Sequence, residues 1–319
     1  MTSSKLRAFL VFGAGAGFAL VSIEAAATYS IVAVDETTGA IGGAGASCVG
    51  SLNVGVIYAS APGRAALHAQ ARLQTRTREE GQRLLELGRT PAEVIAALTR
   101  AETDREFERR QYSVVARGVA SQTFTGAQNS PWAGGRTGAW EGFRYAIAGN
   151  IISSERVLTQ AERGFTAPEC DLAARLMGAL VQGQANGEGD ERCLSRGTPA
   201  DSSFVRVEAP DGRKLLDLSV VDTGRENAVL RLQAAYEAWR RRNACPESPD
   251  AGGLAPDAGD EPSTPEAPNP DASASGPLPT VGSGACTCVA SPTTITSPWA
   301  GLFALLLVRP RRKRHHYSP

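Results

Sequence analysis

A hydroxyl side chain stands where an export signal would be cut. Residues 8–23 are almost entirely apolar or small, Lys5 and Arg7 precede them, and alanines at 25–27 supply the small residues that signal peptidase requires. Cleavage after these alanines would make Thr28 the first residue. Its α-amine, with a pKa of about 7.7–8.0, could then act as general base for its own hydroxyl. Two alternatives stay open: a retained N-terminal anchor, and a Thr28 that merely begins a strand.

The composition excludes several other chemistries. The chain has 319 residues and three histidines, of which only His68 lies outside the C-terminal tail. Zinc sites built from several histidines are therefore excluded, and a Ser-His-Asp triad would have to use His68. The 33 basic and 33 acidic residues balance, so bulk charge does not favour a nucleic-acid partner. We expect no metal and no cofactor.

Elements that could position Thr28 follow it directly. The alternating, β-branched segment 28–34 predicts a strand, and the Gly- and Ala-rich segment 40–49 predicts a second. Helical periodicity predicts a helix over 65–87, and Thr90 to Glu93 forms a capping box that begins another. Further strands are predicted at 111–116, 119–125, 143–152, 202–208 and 214–221, and further helices at 154–163, 170–183 and 225–243. Blocks of antiparallel strands between helix pairs predict stacked layers, hence an α+β fold.

The C-terminal part differs in composition from the body. Residues 246–284 are rich in Pro, Asp, Ala and Gly and predict a disordered linker. Residues 285–319 hold Cys286, a short apolar run and an Arg/Lys cluster, and resemble the myxobacterial C-terminal sorting signal. That resemblance implies processing and surface attachment near Cys286. The alternative is a tail without function.

Seven segments of the body carry a further signal: TYSIVAVDETTGAIGGAGAS at 28–47, HAQA at 68–71, TPAEVIAAL at 90–98, FTGAQNSPWAG at 124–134, AIAGNII at 146–152, CDLAARLMGALVQGQANGEGD at 170–190 and ADSSFVRV at 200–207. Together they resemble the bacterial and archaeal family called domain of unknown function 1028. That family is placed in the Ntn-hydrolase superfamily, whose fold is a four-layer αββα sandwich with an N-terminal Thr, Ser or Cys nucleophile. The resemblance implies one domain over 28–245, with Thr28 as nucleophile and α-amine base. The implied reaction is hydrolysis of an amide bond in a small or peptide-like substrate. Relatives that carry a peptidoglycan-binding module point to cell-wall material.

Acyl transfer in such a domain needs supporting residues. Asn150, at the end of a predicted strand, is the candidate donor to the oxyanion; capping of the following turn is its alternative role. Asp201 and Ser202 correspond to residues that orient the amine elsewhere in the superfamily; a turn before a strand is the alternative.

Three further residues are candidates for substrate binding. His68 and Gln70 are expected to face the site from the N-terminal end of the first helix, although a lone histidine also fits a packing role. Trp132 is expected to line a pocket, or else to fill the core.

Cysteine positions indicate export. All six cysteines follow the predicted cut, as in proteins of oxidising compartments. Cys170 and Cys193 flank a helix and a Gly-rich loop and are the predicted disulfide; Cys48 with Cys245 is a second pairing. We expect a secreted or surface-attached protein, handled by signal peptidase and the C-terminal sorting machinery, with a homodimer left open.

One position departs from the family pattern. Many relatives read ASK after the second strand, but this chain has Cys48 at the place of the lysine. The loss of a cation near the nucleophile favours the alternative function, a catalytically inactive binding or surface protein.

Overall fold

A computed structural model describes residues 28–130, 132–221, 223–224 and 226–245. Ten strands lie at Thr28–Asp35 (β1), Ile41–Ser47 (β2), Tyr58–Ala61 (β3), Ala65–Gln70 (β4), Gln111–Ala116 (β5), Val119–Thr125 (β6), Gly134–Trp140 (β7), Phe143–Asn150 (β8), Ser202–Glu208 (β9) and Lys214–Val220 (β10). Six α-helices lie at Thr75–Glu86 (α1), Pro91–Leu98 (α2), Arg156–Thr166 (α3), Leu172–Gly183 (α4), Glu191–Leu194 (α5) and Ala228–Arg240 (α6). The predicted signal peptide, linker and sorting tail (1–27, 246–284 and 285–319, with Cys286) lie outside the described residues.

The strands form two antiparallel sheets. The larger has the order β10-β9-β2-β1-β8-β7, and the smaller has the order β3-β4-β5-β6. All neighbouring strands pair antiparallel. The described residues therefore confirm the prediction of a mixed α+β domain with antiparallel sheets.

Strand β1 lies in the interior of the larger sheet, and both of its faces are covered by other parts of the domain. Tyr29 and Ile31 belong to a core shared with α3, α4 and α6, whereas Val32 and Val34 belong to a core that includes residues of the smaller sheet. Side chains alternate between the faces of a strand, so a strand covered on both sides is largely apolar, and the polar residues Thr28 and Ser30 stand out at its start. A third core lies between the smaller sheet and helices α1 and α2.

Several sequence signals are confirmed. The Thr90 hydroxyl accepts from the backbone N–H of Glu93, and the Glu93 carboxylate accepts from the backbone N–H of Thr90, which completes the predicted capping box. The strands predicted at 202–208 and 214–221 correspond to β9 and β10, which pair antiparallel as a hairpin. Both signals are local, so they depend little on the rest of the chain.

The prediction of one helix over 65–87 is wrong. Its first part is strand β4, which pairs with β3 and β5, and the helix begins only at Thr75. All six residues of β4 are buried. Their small and apolar side chains satisfied the helical period by coincidence, and burial on both faces favours a strand here. His68 and Gln70 therefore lie in a sheet and not at the end of a helix.

Two strands were missing from the prediction. Strand β3 was not expected, and β7 falls in a Gly-rich segment that resembles a loop. Strand β7 lies at the edge of the larger sheet, where its Gly135 contacts Thr123 of β6 so closely that a Cβ would come within 2.7 Å of the hydroxyl. This close packing against Thr123 explains why a glycine stands at position 135.

The disulfide prediction is wrong. The structure bonds Cys48 to Cys193 and Cys170 to Cys245, so both predicted pairings fail although the same four cysteines take part. The Cα atoms of the two pairs are 5.5 and 5.8 Å apart.

Local contacts explain the pairing. The backbone N–H of Cys48 donates to the carboxylate of Asp190, the residue that caps α5, at 2.7 Å, and the cysteine of α5 is therefore beside β2. The guanidinium of Arg240 pairs with the carboxylate of Asp171 at 2.8 Å, which brings the end of α6 to the start of α4. Neither contact can be predicted from the spacing of the cysteines along the sequence.

The disulfides indicate an oxidising, extracellular environment, where such bonds persist. Among the residues described by the structure, no helix combines the length and the apolar character that crossing a membrane requires.

Candidate functional site

Thr28 belongs to a row of polar residues that crosses the larger sheet. It pairs with Ser47 of β2 on one side and with Asn150 of β8 on the other, and Ser47 pairs in turn with Ser202 of β9. Directly paired residues project to the same face, with Cβ atoms about 5 Å apart. The register thus places Thr28 beside one predicted partner, Asn150, and beside Ser47, which sequence reasoning missed.

The row faces the space between the two sheets. Ser30, two residues after Thr28, donates to Gln70 Oε1 at 2.6 Å, and its hydroxyl lies 2.9 Å from His68 Nδ1. Gln70 Nε2 donates to the backbone carbonyl of Thr28 at 3.2 Å. Strand β4 therefore holds the start of β1. Thr28 itself is fully buried in the uncleaved chain.

Gln111 determines how the Asn150 amide is oriented. Gln111 Nε2 donates to the carbonyls of Gly149 at 2.8 Å and Gly134 at 3.0 Å, and carbonyls can only accept. Its Oε1 must then face the other way, where it accepts from Asn150 Nδ2 at 3.2 Å and from Gln70 Nε2 at 2.7 Å. The amide nitrogen of Asn150 is therefore fixed toward the space between the sheets.

Asn150 has the properties of an oxyanion donor. Its side chain is 1% exposed, and within the described residues its Nδ2 makes a single hydrogen bond, so one N–H is left for another acceptor. Fixed donors of this kind stabilise a developing oxyanion because they need no reorganisation. The side chain bonds across the sheets, not to the turn at 151–152 that was its alternative role.

His68 is a neutral imidazole that positions Ser30. The single hydroxyl proton of Ser30 goes to Gln70, so the hydroxyl must accept from His68 Nδ1–H. Burial, with a smaller contribution from Arg206, lowers the pKa of His68 to about 3. Its Nε2 is buried and has no partner in the described part of the chain, and a Cβ at Gly43 would come within 2.4 Å of it. Gly43 therefore makes room for the ring.

The buried imidazole predicts a loss of stability in mild acid. Above pH 6.5 His68 is neutral in both states, but between pH 6.5 and 3 only the unfolded chain takes up its proton. This one group should lower the free energy of unfolding by about 2 kcal/mol at pH 5 relative to pH 8. Urea unfolding of the parent and of His68→Gln at both pH values tests this. Equal pH dependence in the two proteins would show that His68 is not the titrating group.

A cleft of about 250 Å³ opens beside Asn150. Its lining comes from residues 71–72 after β4, residues 128–130 after β6, residues 150–151 at the end of β8, and Arg109. Because Asn150 is the cross-strand partner of Thr28, the cleft begins one strand spacing, about 5 Å, from the predicted nucleophile. The predicted binding residues His68 and Gln70 face the buried network and are not part of this lining.

The backbone of the cleft is held in an unusual conformation. Ala71, Arg72 and Ile151 have φ values of 56°, 58° and 50°, in the left-handed region. Such a conformation costs non-glycine residues on the order of 1 kcal/mol or more each and concentrates at functional sites. Arg110 donates to the carbonyl of Arg72 at 2.5 Å, and a buried ion pair of 2.6 Å with Asp104 holds that guanidinium. These contacts hold the backbone of the turn at residues 71–72 in place.

Trp132 lies at the surface near this cleft. It is 53% exposed, so the alternative of a buried core residue is wrong. Its carbonyl accepts from the backbone N–H of Ile152 at 3.3 Å, which places it next to the end of β8.

Asp201 and Ser202 lie two strands from Thr28, a distance of about 10 Å between backbones. The Asp201 carboxylate pairs with Arg196 at 2.5 Å, and the Ser202 hydroxyl accepts from the backbone N–H of Val54 at 3.1 Å. These contacts hold Asp201 and Ser202 in place at the β9 end of the polar row. Ser47, the residue between Thr28 and Ser202, is closer to the predicted nucleophile.

A cation is present where the family lysine is missing. Arg196 Nη2 lies 2.7 Å from the sulfur of Cys48 and 2.8 Å from that of Cys193, and it also pairs with Asp201. Asp190, which accepts from the backbone of Cys48, is fully buried, and burial raises its pKa. The disulfide therefore joins a charged cluster at the end of β2, next to Ser47.

Cys48, Cys193 and Asp201 also have ligand atoms within 4.8 Å of one another. The two sulfurs are bonded to each other, so they cannot act as thiolate ligands. This cluster does not fit a metal in its oxidised form.

Sequence reasoning missed four residues of this region, namely Ser30, Ser47, Arg72 and Gln111. The period-two alternation from Thr28 would have placed Ser30 on the same face. Ser47 and Gln111 can be found only from the pairing of the strands. Arg72 can be placed at the site only when residues 65–70 are known to form strand β4 and not a helix.

Comparison with known proteins shows the family of this chain. The model of the family of unknown function DUF1028 matches residues 28–230. The chain is also similar to a crystal structure of a Silicibacter pomeroyi protein of that family, with a TM-score of 0.55 and 26% identity, over 67% of this chain and 89% of the other. No curated protein matches the chain. The match begins at Thr28, the first residue of β1, and covers most of the chain, which therefore belongs to the DUF1028 family.

Proposed function

We propose that this chain is an exported N-terminal-nucleophile hydrolase that cleaves an amide bond in a small or peptide-like substrate. One observation carries the proposal: Thr28 begins the central strand β1 between Ser47 and Asn150, beside a polar cleft. The family match begins at the same residue.

The packing of the layers supports an Ntn-type sandwich. Helices α3, α4 and α6 contact the larger sheet, α1 and α2 contact the smaller sheet, and a shared core lies between the sheets. This arrangement is what a four-layer αββα sandwich requires. In such a fold the nucleophile is the first residue of a strand and faces the other sheet; Thr28 is the first residue of β1 and lies on its face toward the smaller sheet.

The proposed reaction uses one residue twice. After cleavage of the precursor, the α-amine of Thr28 takes the proton of its own hydroxyl, and the oxygen attacks the substrate carbonyl. Asn150 Nδ2 donates to the resulting oxyanion. The intermediate expels the amine product, which takes the proton from the ammonium group. Water then hydrolyses the ester and restores the hydroxyl.

Export supplies the amine in this proposal. Signal peptidase would cut after the alanines at 25–27, and the two disulfides agree with an oxidising destination. We include in the proposal a sorting tail over 285–319, with surface attachment near Cys286, and substrates derived from the cell wall.

A second candidate is a catalytically inactive binding or surface protein. Two observations favour it: Thr28 is fully buried in the uncleaved chain, and Cys48 replaces the family lysine. Arg196, which contacts both sulfurs of the disulfide, provides a cation near that position and favours the hydrolase.

A covalent probe separates the two candidates. The exported protein is treated with a β-lactone that acylates N-terminal hydroxyl nucleophiles, and the adduct is located by mass spectrometry. We expect one adduct within the tryptic peptide 28–64, at Thr28, and none in Thr28→Ala. A correctly processed protein that starts at Thr28 and takes no label would support the inactive protein.

A further inference from the structure

We propose that the cleft beside Asn150 binds the carboxylate of an amino-acid-sized amide substrate, with Arg72 as the principal cationic residue. This inference deepens the proposed function, on which it rests for the site of reaction, and names the class of substrate.

The charge of the cleft favours an anion. Arg72 and Arg109 line it, and the residues of its lining that the structure describes include no Asp or Glu. Arg109 is partly neutralised by Glu106, whose carboxylate lies 3.3 Å away. Arg72 is exposed, and within the described chain its guanidinium makes no ion pair or hydrogen bond. Guanidinium groups bind carboxylates through two parallel hydrogen bonds, which gives them direction as well as affinity.

The neutral lining adds donors. Gln128 Oε1 accepts from Arg109 Nε at 3.0 Å, which leaves the amide nitrogen of Gln128 for a ligand. Asn150 also lines the cleft and is the cross-strand partner of Thr28. The cleft therefore offers several donors to an anion and reaches the strand neighbour of Thr28.

The position of Arg72 is built into the fold. Its backbone is left-handed, as is that of Ala71, and Arg110 holds its carbonyl. Arg110 is in turn buried against Asp104. Two consecutive non-glycine residues in this conformation need support of this kind, so the guanidinium of Arg72 starts from a fixed point of the backbone.

The volume limits the ligand. About 250 Å³ lies just below the usual range of small-molecule pockets, about 300–1,000 Å³. The space suits one amino-acid residue with its carboxylate. An amide bond one residue away from that carboxylate would lie near Asn150 and its cross-strand neighbour Thr28.

Binding of two matched probes tests this inference apart from catalysis. Exported Thr28→Ala protein, which has no nucleophile, is titrated with N-acetyl-L-alanine and with its neutral amide, N-acetyl-L-alaninamide, by ligand-observed NMR. We expect the carboxylate to bind with a Kd at least about tenfold lower than that of the amide. Adding Arg72→Gln should abolish the difference. Adding Arg163→Gln, an exposed arginine on α3 outside the cleft, should leave it unchanged.

Three results would overturn the inference: equal binding of the two probes, a carboxylate preference that survives Arg72→Gln, or no binding of either probe. Circular dichroism confirms that each variant is folded, and Arg72 is a suitable target because its side chain has no partner in the described residues. Because the nucleophile is absent throughout, failure here would leave the hydrolase proposal standing, and failure of β-lactone labelling would leave the carboxylate cleft standing.

Discussion

Replacing Thr28 by alanine should reduce amide hydrolysis by about three orders of magnitude or more, because it removes the atom that attacks the carbonyl. The assay is amine release from a panel of acyl amino acids and dipeptides by the exported protein. Loss of the threonine hydroxyl and methyl groups should also cost about 1 kcal/mol of stability. That cost is too small to unfold a typical domain.

Serine at the same position is the matched control. Thr28→Ser keeps both the hydroxyl and the α-amine, so it should retain activity within about a hundredfold of the parent. If Thr28→Ala kept the parent's activity, or if serine and alanine were equally inactive while both proteins were correctly processed and folded, the hydroxyl of residue 28 would not be the nucleophile.

Removal of the Cys48–Cys193 disulfide should lower the stability of the domain strongly. The bond joins residues 145 apart, and in the chain-entropy model closure of such a loop stabilises the folded state by about 5 kcal/mol. We expect the double variant Cys48→Ala/Cys193→Ala to lose about 3–5 kcal/mol in urea unfolding. Double replacement avoids a free thiol. Arg196 would also lose its contacts with the two sulfurs, whereas the backbone N–H of residue 48 would still donate to Asp190.

The second disulfide provides the control. Cys170 and Cys245 are 75 residues apart, and loop entropy depends only on the logarithm of that number, so Cys170→Ala/Cys245→Ala should lose a similar amount. Only the first double variant should also weaken β-lactone labelling, since only that bond lies at the end of β2 next to Ser47. Equal loss of labelling in both would show that the effect follows stability and not the site.

Local signals predicted much of this fold from the sequence. The capping box at Thr90, the hairpin of β9 and β10 and the alternation of β1 each depend on residues close in the chain. Strand β4 was misassigned because its small and apolar side chains fit a helical period as well as a strand. Only its pairing with β3 and β5, over long sequence distances, decides between them.

The candidate site, too, could be predicted only in part from the sequence. The places of Thr28 at the start of β1 and of Asn150 at the end of β8 could be predicted because each lies at the end of a clear strand. The orientation of the Asn150 amide could not, since it follows from Gln111 and two carbonyls of other strands. The cleft could not be predicted either, because it joins turns after β4, β6 and β8.

The first residue of the exported protein tests the account most directly. Intact mass and N-terminal sequencing of protein recovered after export should show a chain that begins at Thr28 with an unmodified α-amine. A chain that begins at Ala26, Ala27 or Tyr29, or one whose Thr28 amine is blocked, would contradict the proposal that this residue is both base and nucleophile.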